Sequence, residues 1–110
     1  MLLPNREQAV VDLAKLSDYC RNTDHPRGQH KARVFASVLG LSAADAESLR
    51  ATLLLVALDH EVTPTLKDLY GQRYVLDFMM EGPEGEVIVR SSWIVRAEED
   101  FPRLTSCYVL

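Results

Sequence analysis

Tyr74-Val-Leu-Asp-Phe-Met-Met-Glu-Gly-Pro-Glu-Gly85 and the run that follows, Glu86-Val-Ile-Val-Arg-Ser-Ser-Trp-Ile-Val-Arg96, decide the fold. Tyr74, Leu76, Phe78 and Met80 alternate with Val75, Asp77 and Met79, a period of two that suits a half-buried strand. Glu81-Gly-Pro-Glu-Gly85 is a strong turn signal, so the second run folds back as its antiparallel partner. On that partner Val87, Val89, Ser91, Trp93 and Val95 share one face, and Ile88, Arg90, Ser92, Ile94 and Arg96 share the other. Trp93 and the Tyr74/Phe78 stripe alternate mostly with aliphatic neighbours, which places them in a core and not on a base-stacking surface.

Downstream, an acidic loop at Glu98-Glu-Asp100 leads to a last strand over Arg103–Val109. Strict alternation puts Thr105 and Cys107 on one face and Leu104, Ser106, Tyr108 and Leu110 on the other. Upstream the period is helical. Asp12 caps a short helix over 12–20 with Leu13, Leu16 and Cys20 inward. His25-Pro-Arg-Gly28 is a turn, and a second helix runs over 29–39 on Ala32, Phe35 and Val38/Leu39. Ser42-Ala-Ala-Asp45 has capping-box spacing for a third helix to Asp59. Leu54, Leu55 and Leu58 widen its apolar stripe of Ala46, Leu49, Leu53 and Val56, which predicts the most buried helix of the chain. Thr63-Pro64 and Lys67-Asp-Leu-Tyr-Gly71 read as a connection. The expected class is α+β: three helices followed by and packed on a three- or four-stranded antiparallel sheet, a three-stranded meander with a short strand near Ala9–Val11 as its fourth.

At 110 residues, 47% of them hydrophobic, residues 1–110 form one domain able to build a core without staples. The longest apolar run, Leu53–Leu58, is far too short to cross a bilayer, and the start lacks a leader's basic flank and apolar stretch. Cys20 and Cys107 make no disulfide framework, and reduced thiols fit a cytoplasmic setting.

Sixteen acidic against twelve basic residues give a net charge of −4. The division is uneven: residues 1–40 carry six basic and four acidic side chains, 41–70 two and five, 71–110 four and seven. A chain without a basic surplus lacks the usual footprint of nonspecific nucleic-acid binding, although a local positive cleft stays open.

No phosphate-binding glycine motif, nucleophile elbow, zinc helix or calcium loop is present, so neither cofactor nor metal is expected. The suggestive segment is His25-Pro-Arg-Gly-Gln-His30-Lys31. His25 can move a proton near pH 7, Lys31 can stabilise phosphoryl charge, Gly28 lets a ligand approach, and His30 adds a donor beside it. On the last strands the Thr105 hydroxyl can orient a phosphate or a 2′-hydroxyl, with Arg90, Arg96 and Arg103 as phosphate contacts. Convergence of His25, Lys31 and Thr105 suits RNA cleavage without metal: one group activates the 2′-oxygen, another protonates the leaving oxygen, and cations stabilise the phosphorane. The competing geometry leaves Arg90 and Arg96 in solvent and Thr105 satisfying a sheet edge.

Asn5, Lys15-Leu16 with Tyr19, His25-x-x-Gly28-x-x-Lys31-Ala32 with Phe35, Gly71 with Tyr74, Trp93-Ile94 and Pro102-Arg-Leu-Thr105 form an ordered set. In these landmarks nearly the whole chain resembles a family of small, functionally uncharacterised bacterial domains, found alone and near the C-termini of polymorphic toxins. That resemblance implies a compact domain and directs attention to His25, Gly28 and Lys31. A looser architectural likeness to barnase-, EndoU- and RelE-like ribonucleases implies a site of histidine, lysine or arginine and a late-strand hydroxyl. Two readings stand at this point. One is an RNA-cleaving or phosphate-binding domain of toxin-like kind; the other is a non-catalytic protein-interaction or accessory module, with a homodimer through the edge at Tyr108-Val-Leu110 as one form.

Overall fold

A computed structural model describes residues 1–20, 43–83 and 85–110. The predicted hairpin is its centre. Strand β2 (Gly71–Gly82) pairs antiparallel with β3 (Gly85–Arg96) in unbroken register from Gly71↔Arg96 to Gly82↔Gly85. β4 (Pro102–Val109) adds to β3, and β1 (Thr63–Asp68) adds to β2, giving a four-stranded antiparallel meander in the order β1-β2-β3-β4. The fold is therefore α+β.

β1 corrects the expectation of a loop between the third helix and the hairpin. Thr63-Pro-Thr-Leu-Lys-Asp68 carries no buried stripe, so alternation cannot reveal it. It is an exposed edge, with Pro64 and Lys67 flanking an irregularity in its pairing to β2. Both residues are the kind that blunts a free edge.

Among the described residues there are two α-helices, α1 (Leu13–Cys20) and α2 (Ala46–Asp59); the predicted helix over 29–39 lies outside them. Asp12 caps α1 as expected, its Oδ1 accepting the Ala14 and Lys15 amides at 2.9 and 3.4 Å. A 3-10 turn over Ala43–Asp45 precedes α2. On α2 Ala46, Leu49, Leu53, Val56 and Ala57 are buried, a single stripe at helical spacing. The wider apolar face does not follow: Leu55 is 65% exposed and Leu58 41%, because α2 covers the sheet along one side only.

One face of the sheet meets this stripe. Tyr74, Leu76, Phe78, Val89, Trp93, Leu104 and Cys107 pack with Leu16, Leu49 and Leu53 in one core. Trp93 is fully enclosed, as its alternation predicts. Its Nε1–H donates to Ser91 Oγ at 2.9 Å, and Ser91 donates to the Leu76 carbonyl at 2.8 Å, so the buried polar atoms are satisfied.

The first eleven residues were the least legible part. Leu3 and Val11 enter the core, and Asn5 turns the chain in a left-handed conformation (φ 49°) while its Nδ2 donates to the Asp100 carbonyl at 2.5 Å. Arg6 Nε donates to the Leu58 carbonyl at 2.7 Å, a cation placed at the C-terminal end of α2 where exposed carbonyls favour it. The expected short strand near Ala9–Val11 is a parallel bridge, Val10↔Arg103, closed by Val10 N–H to Pro102 O (2.9 Å) and Leu104 N–H to Val10 O (3.0 Å). No helix among the described residues is long and apolar enough to cross a membrane.

Candidate functional site

The site begins with an irregularity in β4. Ser92 pairs with Ser106 but Trp93 pairs with Leu104, so β4 spends two residues where β3 spends one. The extra residue resets the alternation. Leu104 and Cys107, three apart, can then both face the core, and both are buried. This corrects the strict alternation, which separates them and puts Thr105 with Cys107. Thr105 instead lines cavities on the outer face of the sheet with Ile94 and Arg96. Its hydroxyl donates to the Ser92 carbonyl at 3.1 Å, which fixes the side chain and leaves its oxygen lone pairs available as acceptors.

Two cavities meet at Thr105. The larger, about 410 Å³, is lined by Leu69, Tyr70, Arg73, Ile94, Arg96, Glu98 and Thr105. The smaller, about 140 Å³, is lined by Val10, Asp12, Lys15, Ile94, Arg96, Arg103, Leu104 and Thr105. Because Ile94, Arg96 and Thr105 belong to both, they form one groove across the end of the outer face. Each wall has a backbone cause. The Val10 bridge brings α1 and Lys15 to the edge of β4. The tight β1–β2 turn brings Leu69 and Tyr70 over the end of β3, where Tyr70 O accepts the Ala97 amide at 3.0 Å.

Gly71 makes that second approach possible. It sits at φ 144°, and a Cβ built there would lie 2.1 Å from the Val95 carbonyl oxygen. Only glycine fits.

The cations around the groove differ in what they have left to offer. Arg103 is held by Glu99 in a two-pronged pair, both contacts 2.8 Å, and lies 5.0 Å from the Phe101 ring centroid. The guanidinium keeps the Glu99 carboxyl below its ordinary range, and the carboxylate raises Arg103 in turn. Arg73 has a looser contact with Asp68, 3.6 Å. Lys15 and Arg96 have no carboxylate within ion-pair distance among the described residues, so they are the cations available to an incoming anion. Asp12 and Glu98 stand on the same walls, and Asp12 is engaged in capping α1.

Of the residues predicted from sequence, Thr105, Arg96 and Arg103 come together at this groove. Arg90 does not. It lies six residues from Arg96 along β3, about 20 Å for an extended strand. There Asp77 binds it in a two-pronged pair at 2.8 and 2.9 Å, and that hydrogen bonding lowers the Asp77 carboxyl and raises Arg90. His25, Gly28, His30 and Lys31 lie outside the described residues. Arg73 and Tyr70 were not anticipated at all; Asp68-x-x-Gly71 between two extended runs was the available signal, since Asp68 Oδ1 accepts the Tyr70 and Gly71 amides at 2.9 and 3.3 Å. Among the described residues no three His, Cys, Asp or Glu side chains gather in a way that could hold a metal ion.

No curated protein and no solved structure matches the chain. The profile of a domain of unknown function, DUF6883, matches residues 2–110. That span takes in the described helices and strands and every wall of the groove, and the chain belongs to the DUF6883 family.

Proposed function

We propose that the groove at Thr105 holds an RNA phosphodiester and that the domain cleaves RNA without a metal, in the manner of a bacterial toxin domain. The observation that carries this reading is the placement of Thr105, turned to the outer face by the extra residue in β4, between Lys15 and Arg96, cations with no carboxylate within ion-pair distance among the described residues. A phosphate there meets two positive charges, the Thr105 oxygen can accept a hydrogen bond from the neighbouring 2′-hydroxyl, and a third cation, Arg103, is held in place by Glu99 beside it. Those groups bind and stabilise charge. His25 takes the 2′-hydroxyl proton as the 2′-oxygen attacks phosphorus, and Lys31 gives a proton to the leaving 5′-oxygen as its bond to phosphorus breaks; both residues lie outside the described part of the chain. Gly28 and His30 serve that same segment as ligand contacts.

Incubation of the purified protein with total tRNA in EDTA tests the reading. Cleavage is expected, lost in His25→Ala and weakened in Thr105→Ala. Intact RNA at high protein concentration across the pH range would reject catalysis on that substrate.

One observation favours the second reading, a protein-interaction or accessory module. Met79 and Ile88 are directly paired across β2 and β3, Leu110 continues beside Ile88, and all three are exposed at the far end of the outer face from the groove. Light scattering on the wild type and Ile88→Asp separates a homodimer through this patch from a monomer.

A further inference from the structure

We infer that Tyr70, with Leu69 beside it, stacks a nucleobase next to the phosphate held at Arg96, so that the groove takes one unpaired nucleotide of a single strand. The inference rests on the reading of the groove as a phosphodiester site and adds its substrate class. Tyr70 is 70% exposed and Leu69 92%, an aromatic and an aliphatic side chain at the tip of a two-residue turn. Neither contributes to the core. The turn beneath them is nevertheless held in place: Asp68 Oδ1 accepts the Tyr70 and Gly71 amides, Ala97 N–H donates to Tyr70 O, and Gly71 lies against the Val95 carbonyl. A fixed backbone that presents apolar groups to solvent suits recognition, because no loop has to be ordered when a ligand arrives.

Charge selects the ligand. Both residues line the larger cavity with Arg73, Arg96, Glu98 and Thr105. Asp68 already engages Arg73, and Glu98 adds a negative charge, so Arg96, which influences the Glu99 carboxyl only at longer range, is the one cation of that cavity with no carboxylate within ion-pair distance among the described residues. That composition suits one phosphate, not a run of them. The rest of the ligand must be uncharged and must cover Tyr70. A nucleobase attached to that phosphate meets both requirements, since every base offers a flat face to an aromatic side chain. In a duplex both faces of the base are already stacked, so the strand must be single.

The test is fluorescence anisotropy with a short labelled single-stranded oligoribonucleotide, its duplex, and the same strand carrying an abasic position. The expected result is single-strand binding weakened roughly tenfold or more by Tyr70→Ala and little changed by Tyr70→Phe. The abasic strand should bind wild type and Tyr70→Ala alike, and the duplex should bind weakly. If Arg96→Ala weakens single-strand binding while Tyr70→Ala does not, the stacking inference falls and the phosphate site stands. Failure of every strand to bind the wild type overturns both. Tyr70 is exposed, so a matching urea midpoint for Tyr70→Ala shows that a loss of binding is local.

Discussion

Trp93 and Ser91, two residues apart on β3, are joined by a buried hydrogen bond of 2.9 Å from the indole Nε1–H to the hydroxyl, and Ser91 passes its own hydrogen to Leu76 O across the strand. The largest side chain of the core therefore keeps its polar atom satisfied by a residue that sequence alone marks as an interruption in an apolar stripe. Ser91→Ala leaves the indole N–H without a partner and is expected to cost about 1–3 kcal/mol. Urea unfolding measures the loss, and a wild-type midpoint would show that the relay is dispensable.

Gly71→Ala should destabilise by about 2 kcal/mol or more, since it combines a strained φ with contact against strand backbone that cannot move aside. The variant should also disturb the groove, because the Leu69-Tyr70 tip is seated by this approach. Thermal melting gives the first effect. Oligonucleotide binding by the fraction still folded gives the second.

Leu53 is fully buried at the centre of the α2 stripe, facing the sheet. Leu53→Ala should cost about 2–5 kcal/mol through the cavity it leaves, whereas Leu55→Ala, on the exposed side of the same helix, should cost little. Similar unfolding midpoints for the two variants would contradict the assigned orientation of α2.

Acid should weaken the fold partly through Asp77. Arg90 holds this carboxyl below its ordinary value of 3.8 when folded, so the unfolded chain takes up the proton first as pH falls. The stabilising contribution is complete above the unfolded value and disappears as pH drops through the lower, folded one. Asp77→Asn should lower stability at pH 7 only slightly, as the pair is about one-third exposed, and should flatten the decline below pH 4 by that same amount. Denaturation curves at several pH values decide it; an unchanged slope would place the acid sensitivity elsewhere, with Glu99 beside Arg103 the next carboxyl to test.

Two arginines of β3 should part company in binding. Arg96→Ala should weaken oligonucleotide affinity and lower its salt dependence by about one ionic contact, while Arg90→Ala, already paired to Asp77, should do neither. Titrations at several salt concentrations compare the slopes. Equal effects would argue for diffuse attraction across the whole outer face.

Much of this architecture is legible in the sequence. The Tyr74–Met80 alternation, the Gly-Pro turn and the burial of Trp93 follow from side-chain period and turn chemistry, which act over a few residues. Asp12 capping α1 is equally local. β1 escaped because an exposed edge strand carries no buried alternation, and the N-terminal segment escaped because its order comes from distant partners, Asn5 with Asp100 and Arg6 with Leu58.

The candidate site divided along the same line. Sequence by itself determined which chemical groups the chain carries: a late-strand threonine, arginines on the polar face of β3, a glycine before Tyr74, and a His25-to-Lys31 segment suited to proton transfer. Tertiary structure decided which of the described groups meet. One extra residue in β4 turns Thr105 outward toward Arg96, and the Val10 bridge brings Lys15 to the same groove. Cross-strand register gives Arg90 to Asp77, and the turn into β4 gives Arg103 to Glu99. Charge on a side chain is a property of the residue, but whether that charge is available to a ligand depends on the partner that register and packing set beside it.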